Sequence, residues 1–416
     1  MNWENERAKY ITYFILLVKN KCGNLCDTNN YRPIALSTIA SKCFELILLH
    51  RCENYLCTTD FQFGFKKHSS TDLCIYVLRE CLQTYRNHAT PVFVTFLDAS
   101  KAFDRVNHWS LFYKLVKRNT PLYLVRILLY WYQNQAMCVR WGNSFSSKFV
   151  VRNGVRQGGV LSPLLFNVYM DDLSCDLSAE KIGCNIGGLV INHLAYADDL
   201  CLISPSSAGM QKLLNICDQY GKNHDLIYNC SKCLVMCFSP NKVTLRHNPD
   251  LYLDSTKLEF VDHYKYLGTQ VEANSCAMDI KRQLKKFYTN VNRLIRVFNK
   301  CSTPVKCYLF RTYCSYLYCS QFWYNNRKCD MTSVKTAYNN GLRRLLGLPR
   351  SCSASFMFVS SGVPSFGELL RKSIHSFIKR VSNSVNNILI NIVASTIPCT
   401  SSIWSWWRDI MHFTTY

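Results

Sequence analysis

The chain has 416 residues, of which 48% are hydrophobic and 18% are charged, so it can bury a sizeable core and does not belong to the disordered class. Its 49 Lys and Arg residues outnumber its 27 acids, and the net charge of +22 favours a polyanionic partner such as a nucleic acid over generic basicity. We find neither a secretory signal nor an apolar run long enough for a membrane, so we expect an intracellular protein whose 23 scattered cysteines are free thiols.

The first predicted elements are a strand and a helix. An apolar, β-prone run over residues 10–18 predicts a buried strand, and Asn-Tyr-Arg-Pro-Ile-Ala-Leu follows at 30–36. A helix is predicted over 37–56 from apolar residues at helical spacing. These are Ile39, Cys43, Leu46, Ile47 and Leu49.

A second helix is predicted after the sequence Phe-Gln-Phe-Gly-Phe at 61–65. Ser69 and Asp72 have the spacing of a capping box at its start. Gly64 either lets a template strand approach the backbone closely or simply forms a turn.

A β-rich run over residues 92–98 ends on Asp98. Asp104 lies beyond this strand, and we interpret it as a residue that starts a helix or forms an ion pair. A helical stretch over 109–132 and a strand-like stretch over 139–151 follow.

Residues 154–163 read Gly-Val-Arg-Gln-Gly-Gly-Val-Leu-Ser-Pro, which predicts a flexible loop and a helix that starts at Ser162. That helix contains Tyr-Met-Asp-Asp at 169–172. Because no second apolar strand follows, we expect Asp171 and Asp172 at a helix end or on the surface, outside the catalytic site.

The sequence His-Leu-Ala-Tyr-Ala-Asp-Asp-Leu-Cys-Leu-Ile at 193–203 predicts a β-hairpin with Asp198 and Asp199 at its turn. A solvated turn is the alternative for an isolated pair. If the strand that ends on Asp98 lies beside this hairpin, the carboxylates converge into a site for two Mg²⁺ ions about 3.5–4 Å apart.

Beyond the hairpin, a helix is predicted over 210–220 and Asn-Cys-Ser-Lys occupies 229–232. Cys230, Cys233 and Cys237 have ligand-like spacing, but no matching Cys or His pair follows closely. We therefore interpret them as core or incidental thiols.

The runs at 96–104, 154–163 and 196–199 resemble the reverse transcriptase of non-LTR (LINE-type) retrotransposons. This resemblance implies an α+β polymerase right hand, with fingers, a palm built on an antiparallel sheet, and a helical thumb. Its implied domains are interleaved fingers and palm at 1–275, a thumb at 276–360 and a C-terminal tail of unknown role at 361–416.

The resemblance implies that the protein adds dNTPs to a DNA primer on an RNA template with two Mg²⁺ ions. The implied metal ligands and catalytic acids are Asp98, the Ala99 carbonyl, Asp198 and Asp199. The other implied contacts to substrate are Arg32 at the triphosphate, Phe103 as the sugar-selecting ring, Gln157 and Gly158 at the incoming nucleotide, and Lys232 near the pyrophosphate. A surface charge is the alternative for Arg32, ordinary core for Phe103 and a solvated side chain for Lys232.

The sequence Tyr-Lys-Tyr-Leu-Gly at 264–268 resembles the hairpin that grips the primer. A basic amphipathic helix follows, and a merely solvated face is the alternative to phosphate contacts. Its apolar stripe is Ile280, Leu284, Phe287, Val291, Leu294, Ile295 and Phe298. Its candidate nucleic-acid contacts are Lys281, Arg282, Lys285, Lys286 and Arg293.

Members of this family usually carry a separate endonuclease domain, so that activity would have to come from elsewhere, and we expect a truncated copy or one domain of a longer element. The fingers are expected to be incomplete. Nuclear residence is expected because such elements integrate into chromosomes. The alternatives are a maturase-like reverse transcriptase of group II introns and an inactive remnant that only binds RNA.

Overall fold

The computed structural model describes residues 12–240, 248–272, 277–325, 328–396 and 403–412. It contains both helices and strands, in agreement with the predicted α+β class. The strands are β1 (Thr12–Val18), β2 (Tyr31–Leu36), β3 (Val92–Asp98), β4 (Ala136–Trp141), β5 (Ser144–Phe145), β6 (Phe149–Val150), β7 (Cys184–Ile186), β8 (Leu189–Ile191), β9 (His193–Tyr196), β10 (Asp199–Ser204), β11 (Leu234–Phe238), β12 (Tyr252–Leu253), β13 (Thr256–Lys257), β14 (Glu259–Phe260), β15 (His263–Tyr266) and β16 (Thr269–Glu272).

The helices are α1 (Ile39–Cys52), α2 (Thr71–Asn87), α3 (Ala102–Arg105), α4 (His108–Lys117), α5 (Leu122–Gln133), α6 (Ser162–Ala179), α7 (Ser207–Asn223), α8 (Ala277–Val297), α9 (Thr303–Cys314), α10 (Lys328–Leu346), α11 (Ala354–Ser361), α12 (Phe366–Ser382), α13 (Asn387–Thr396) and α14 (Ile403–His412). Short 3₁₀ helices cover Thr28–Asn30, Glu53–Tyr55 and Ser320–Asn325.

A central sheet runs in the order β14-β11-β3-β10-β9, and β3 is antiparallel to both β10 and β11. Phe93 and Leu97 of β3 face helices α6 and α7, whereas Val94 and Phe96 lie in the core that α2 covers. Burial on both faces explains why the run from 92 to 97 is apolar except at Thr95 rather than alternating.

The C-terminal helices belong to the same core. Phe377 of α12, Ile392 of α13 and Trp404 of α14 are buried in one cluster with α2 and Phe96. The Trp404 indole also donates a hydrogen bond to the Tyr76 hydroxyl at 3.1 Å. The segment that the sequence left without a role therefore completes the hydrophobic core behind the central sheet.

A smaller, outer sheet runs in the order β2-β1-β4-β5, with β6 paired to β4. The predicted buried strand is wrong in its burial, because Leu17 of β1 is 53% exposed and most of the strand is only half-buried. The strand-like stretch predicted at 139–151 begins at Ala136 and is divided into three short strands.

The predicted apolar face of α1 is also wrong. Ile39 is 82% exposed and Ile47 60% exposed, whereas Glu45 is buried. The reason is a long-range ion pair between Glu45 and the buried guanidinium of Arg156, whose loop also donates the Val160 N–H to the Glu45 carboxylate at 2.6 Å.

Two further local predictions differ from the structure. The capping box is wrong: α2 begins after Ser70, and the Asp72 carboxylate bonds to the Ser70 hydroxyl and to Arg380 instead of to the backbone. The single helix predicted over 109–132 is two helices, because α5 starts only after Pro121.

The helical region after residue 276 has its own core, to which α8, α9, α10 and α11 contribute. Phe287 and Val291 of α8 are buried against Phe310 and Leu342, which confirms the predicted apolar stripe. Before it, β15 and β16 form the predicted hairpin.

Candidate active site

The predicted carboxylates meet at one end of the central sheet. Asp98, the last residue of β3, lies directly opposite Asp199, the first residue of β10. Asp198 occupies the two-residue turn that joins β9 to β10, next to Ala197, whose φ of 58° lies in the left-handed region. The fold therefore brings together residues separated by a hundred positions in sequence.

The pKa values of Asp198 and Asp199 are both raised, first by burial and then by neighbouring carboxylates. Burial raises the pKa of Asp198, and the nearby Asp98 carboxylate raises it further. The Arg32 guanidinium lowers it. Desolvation, Asp198 and Asp98 together raise the pKa of Asp199 to about 6. Such mutual repulsion is relieved by a cation.

One cation is supplied by the protein itself. Lys232 Nζ lies 3.5 Å from Asp98 Oδ2. Its loop is fixed to the end of β3, because Asn229 N donates to Asp98 O at 2.8 Å and Asp98 N donates to Cys233 Sγ at 3.4 Å. The Asn-x-x-Lys element and the end of β3 are thus held together.

The three carboxylates are suitable ligands for a hard cation, although their oxygens do not converge on one position. Within the described residues, no group of three His, Cys, Asp or Glu side chains is arranged as a metal cluster. Asp98, Asp198 and Asp199 nevertheless lie within electrostatic reach of one another, and carboxylate oxygens are the ligands that Mg²⁺ prefers. Ala99 is placed beside them by its backbone pairing with Tyr228.

Phe103 lies just beyond the acids, at the start of α3. Its ring stacks on the buried ring of Phe166, with centroids 4.4 Å apart and planes at 12°. The Phe65 ring packs against it in a T-shaped arrangement from another side, with centroids 6.4 Å apart. These contacts fix the orientation of a half-buried ring near the carboxylates.

The glycine loop that contains Gln157 is tied to the outer sheet. Ala35 N of β2 donates to Gln157 O at 2.7 Å, and Gln157 Nε2 donates to Asp104 Oδ1 at 3.2 Å. Gly158 has a φ of 110°, and a Cβ there would lie 2.7 Å from Ala35 O, so only glycine fits. Arg32, exposed on β2, is thereby placed on the same side as the loop and Asp198.

Comparison with known proteins decides the family, because a profile described as reverse transcriptase (RNA-dependent DNA polymerase) matches residues 18–271. The chain belongs to the reverse transcriptase family. The matched residues include every strand of the central sheet and end before α8, and the division into fingers, palm and thumb stays a prediction.

Two of the similar curated proteins come from mobile elements of Drosophila melanogaster. The RNA-directed DNA polymerase from mobile element jockey is 25% identical over 90% of this chain and 42% of its own length. The Pol polyprotein from type-2 retrotransposable element R2DM is 29% identical over 59% of this chain and 24% of its own length. This reverse transcriptase chain thus spans less than half the length of these relatives.

Among solved structures, apo telomerase from Candida tropicalis is similar, with a TM-score of 0.45 and 10% identity over 99% of this chain and 70% of that one.

Within the described residues, no helix of this reverse transcriptase is long and apolar enough to cross a bilayer.

The candidate thumb cations fall into two groups. Lys281, Lys285, Lys286 and Arg293 are exposed on α8. Arg282 is different, because its guanidinium bonds to Asp279 and to the Gly268 carbonyl of the β15–β16 hairpin. Arg282 therefore joins α8 to that hairpin.

The Tyr-Met-Asp-Asp run at 169–172 lies in the middle of α6, not at a helix end. Asp171 is 7% exposed and pairs with Arg118 at 2.5 Å, and Asp172 pairs with the buried Lys114. Both acids are neutralised by partners on or next to α4.

Of the three cysteines with ligand-like spacing, Cys233 is fully buried and the other two are half-buried.

Sequence reasoning missed the residues that support the Asp198 turn. Gln62 bonds to the backbone of Ala197, and Gly64 packs against the same peptide. The close backbone approach that Gly64 permits is therefore to the 196–197 peptide. The run Gln-Phe-Gly at 62–64 was the available signal, but nothing local indicated its partner.

Proposed function

We propose that this protein is an RNA-directed DNA polymerase that adds dNTPs to the 3′ end of a DNA primer on an RNA template. The observation that carries the proposal is the pairing of Asp98 with Asp199 beside Asp198 in a member of the reverse transcriptase family. In the reaction, the primer 3′-oxygen forms a bond to the α-phosphorus as the bond to pyrophosphate breaks.

Asp98, Asp198 and Asp199, with the Ala99 carbonyl, would hold two Mg²⁺ ions. When bound, these ions would supply Lewis-acid activation and neutralise phosphate charge. The raised pKa values of Asp198 and Asp199 support this assignment, because burial and, after it, the neighbouring carboxylates disfavour the charged forms, which a bound cation would stabilise.

The remaining residues would position and select the nucleotide. Arg32 and Lys232 would balance charge on the triphosphate and the leaving pyrophosphate, and Lys232 would donate a proton there. Gln157 and Gly158 would contact the incoming nucleotide, and Phe103 would occupy the space that a 2′-hydroxyl needs. Lys281, Lys285, Lys286 and Arg293 would contact phosphates of the primer-template duplex.

The proposal extends to the biological setting of the chain. Cleavage of the target DNA would come from another domain or protein, and the reaction would take place in the nucleus, where chromosomal targets lie. The retrotransposon origin of the similar proteins supports both statements.

The test is primer extension by the purified protein on a primed RNA template with dNTPs and Mg²⁺. We expect cDNA from the wild type and none from Asp198→Ala. The matched control is Asp172→Asn, which alters the second Asp-Asp pair on α6 and keeps a hydrogen-bonding group beside Lys114. It should retain most of the activity.

Three results would count against the proposal. Loss of activity in Asp172→Asn but not in Asp198→Ala would place the catalytic acids on α6. Synthesis of DNA in the presence of excess chelator would exclude the metal assignment. A folded wild type that binds the primed template but makes no cDNA would support the alternative, an inactive protein that only binds RNA.

A further inference from the structure

The turn that carries Asp198 lies against a separate segment of chain, residues 61–64. This segment runs alongside β9, where Phe63 N donates to Ala195 O at 2.8 Å and Ala195 N donates to Phe61 O at 2.9 Å. It therefore extends the edge of the central sheet next to the turn.

The Gln62 amide bonds to both polar groups of the Ala197 backbone. Its Oε1 accepts from Ala197 N at 2.9 Å and from Gly64 N at 2.8 Å, and its Nε2 donates to Ala197 O at 3.4 Å. Gln62 is only 4% exposed, so water does not compete for these bonds. They stabilise Ala197 in its left-handed conformation, which is unfavourable for a residue other than glycine.

Gly64 sets the distance between this segment and the turn. A Cβ at Gly64 would lie 2.4 Å from Ala197 N and 3.0 Å from the carbonyl carbon of Tyr196, so no side chain fits. On its other side, Gly64 O accepts from Asn167 Nδ2 at 2.7 Å. Asn167 is 1% exposed and lies on α6, the helix that follows the glycine loop.

We propose that Gln62 is a positioning residue that sets the direction of Asp198 through Ala197, and that Asn167 and Gly64 connect this support to α6. The Gln62 amide contacts the turn at Ala197 and the backbone of Gly64. This inference rests on the proposed polymerase function. It assigns to the 61–64 segment a role in placing the catalytic carboxylate.

Because Gln62 acts through the carboxylate, its loss should impair the chemical step and the use of Mg²⁺ more than the binding of the primer-template. Gln62→Met keeps the length of the side chain and removes all three hydrogen bonds. We expect the single-turnover rate to fall roughly 10-fold to 100-fold, as happens when groups that orient metal ligands are removed. The Mg²⁺ concentration for half-maximal rate should rise, and the Kd for the primer-template should stay within about 2-fold of the wild-type value.

Gln62→Glu provides a rescue test. Its carboxylate can still accept from Ala197 N and Gly64 N, although it cannot donate to Ala197 O. We expect its rate to lie between those of wild type and Gln62→Met.

The matched control is Gln321→Met. Gln321 is also 4% exposed, but its hydrogen bonds are to Asp72 and Ser373 rather than to the Asp198 turn. It should lower the unfolding temperature without changing the Mg²⁺ dependence.

The outcomes separate the two proposals. If the wild type makes no cDNA, the polymerase proposal fails. If the wild type is active, then an unchanged rate in Gln62→Met, a rate in Gln62→Glu no higher than in Gln62→Met, or an equal change in Mg²⁺ dependence in Gln321→Met would each overturn the role of Gln62.

Discussion

At the scale of single residues, Phe103 has its ring held on two sides, by the parallel ring of Phe166 and the edge of Phe65. Phe166 is fully buried, so the stack cannot shift without disturbing the core. A ring fixed in this way can exclude a group by steric clash, because it cannot move aside.

We predict that Phe103→Val increases the use of ribonucleotides, because the shorter side chain leaves space for a 2′-hydroxyl. The ratio of kcat/KM for an rNTP to that for the matching dNTP should rise at least roughly 10-fold, the order of effect expected from relieving such a clash. Single-nucleotide incorporation assays measure this ratio. Phe356→Val, at an exposed ring on α11, is the control and should leave the ratio unchanged. An unchanged ratio in Phe103→Val would remove Phe103 from sugar selection.

Asp199 gives a prediction on pH. Because the pKa of Asp199 is raised to about 6 in the folded protein, the folded state binds more protons than the unfolded state between about pH 4 and 6. Its stabilising contribution is full below the unfolded pKa and is lost as the pH rises through the folded pKa. Without divalent metal, Asp199→Asn should therefore unfold at a higher temperature than wild type at pH 7.5 and at a similar temperature at pH 4.

Asp199 is exposed and water screens its repulsion, so we expect a difference of no more than about 2 °C. Thermal unfolding at the two pH values measures it. Asp262→Asn, at another exposed aspartate before the β15–β16 hairpin, is the control. A lower unfolding temperature for Asp199→Asn at pH 7.5 would contradict the prediction.

The sequence predicted Asp98, Asp198 and Asp199 because apolar strand residues flank each of them, which is a local signal. Gln62 and Glu45 have no such signal. The amide of Gln62 bonds to a residue 135 positions away, and Glu45 pairs with an arginine 111 positions away. Contacts of this range depend on the assembled fold.

At the scale of elements, α8 has two kinds of cation. Lys285 is exposed, whereas Arg282 is committed to Asp279 and to the Gly268 carbonyl. The helix thus presents charge to the solvent and at the same time holds the β15–β16 hairpin through one side chain.

We predict that these two cations respond differently to neutralisation. Lys285→Gln should weaken primer-template binding and reduce the slope of log K against log salt by about 0.9, the value for one phosphate contact. Arg282→Gln should leave that slope unchanged, because Arg282 already has protein partners. Fluorescence anisotropy at several KCl concentrations measures the slope. Lys212→Gln, at an exposed lysine on α7, is the control, and a smaller slope in Arg282→Gln would contradict the assignment.

Elements with a simple amphipathic pattern were predicted well, and those determined by buried charge were not. The stripe of α8 follows helical spacing, and its predicted residues are buried or half-buried. In α1 the same reasoning selected Ile39 and Ile47, but the buried Arg156 turns the Glu45 face inward. Pairing in the outer sheet was beyond prediction, because β1 pairs with β4 across more than a hundred residues.

At the scale of the whole molecule, the core behind the central sheet is built from both ends of the chain. Residues 73–78 and Cys81 of α2 are completely or almost completely buried, partly by Phe377, Ile388 and Ile392. The predicted division at residue 361 therefore does not correspond to a separate tail in the packing.

We predict that a chain shortened to residue 365 loses cooperative folding. Each buried aliphatic or aromatic side chain that is removed contributes about 1.5–3 kcal/mol, so a few of them equal the 5–15 kcal/mol that stabilises a typical domain. Circular dichroism melting and dye binding to exposed apolar surface measure the effect. A chain shortened to residue 412 is the control. A sharp transition at the full-length temperature would show that α12–α14 are dispensable.

The contact between Tyr76 and Trp404 spans 328 residues, and this separation has a consequence for synthesis. At 5–20 residues per second, the ribosome needs roughly 16–66 s to make the partner of α2 after α2 itself has been made. During that time the part of α2 that α12–α14 cover lacks its native partners, and chaperones would have to shield it. A stop codon or frameshift shortly before residue 366 would make that exposure permanent. Such a gene would encode every residue proposed to be catalytic and yet yield no working enzyme.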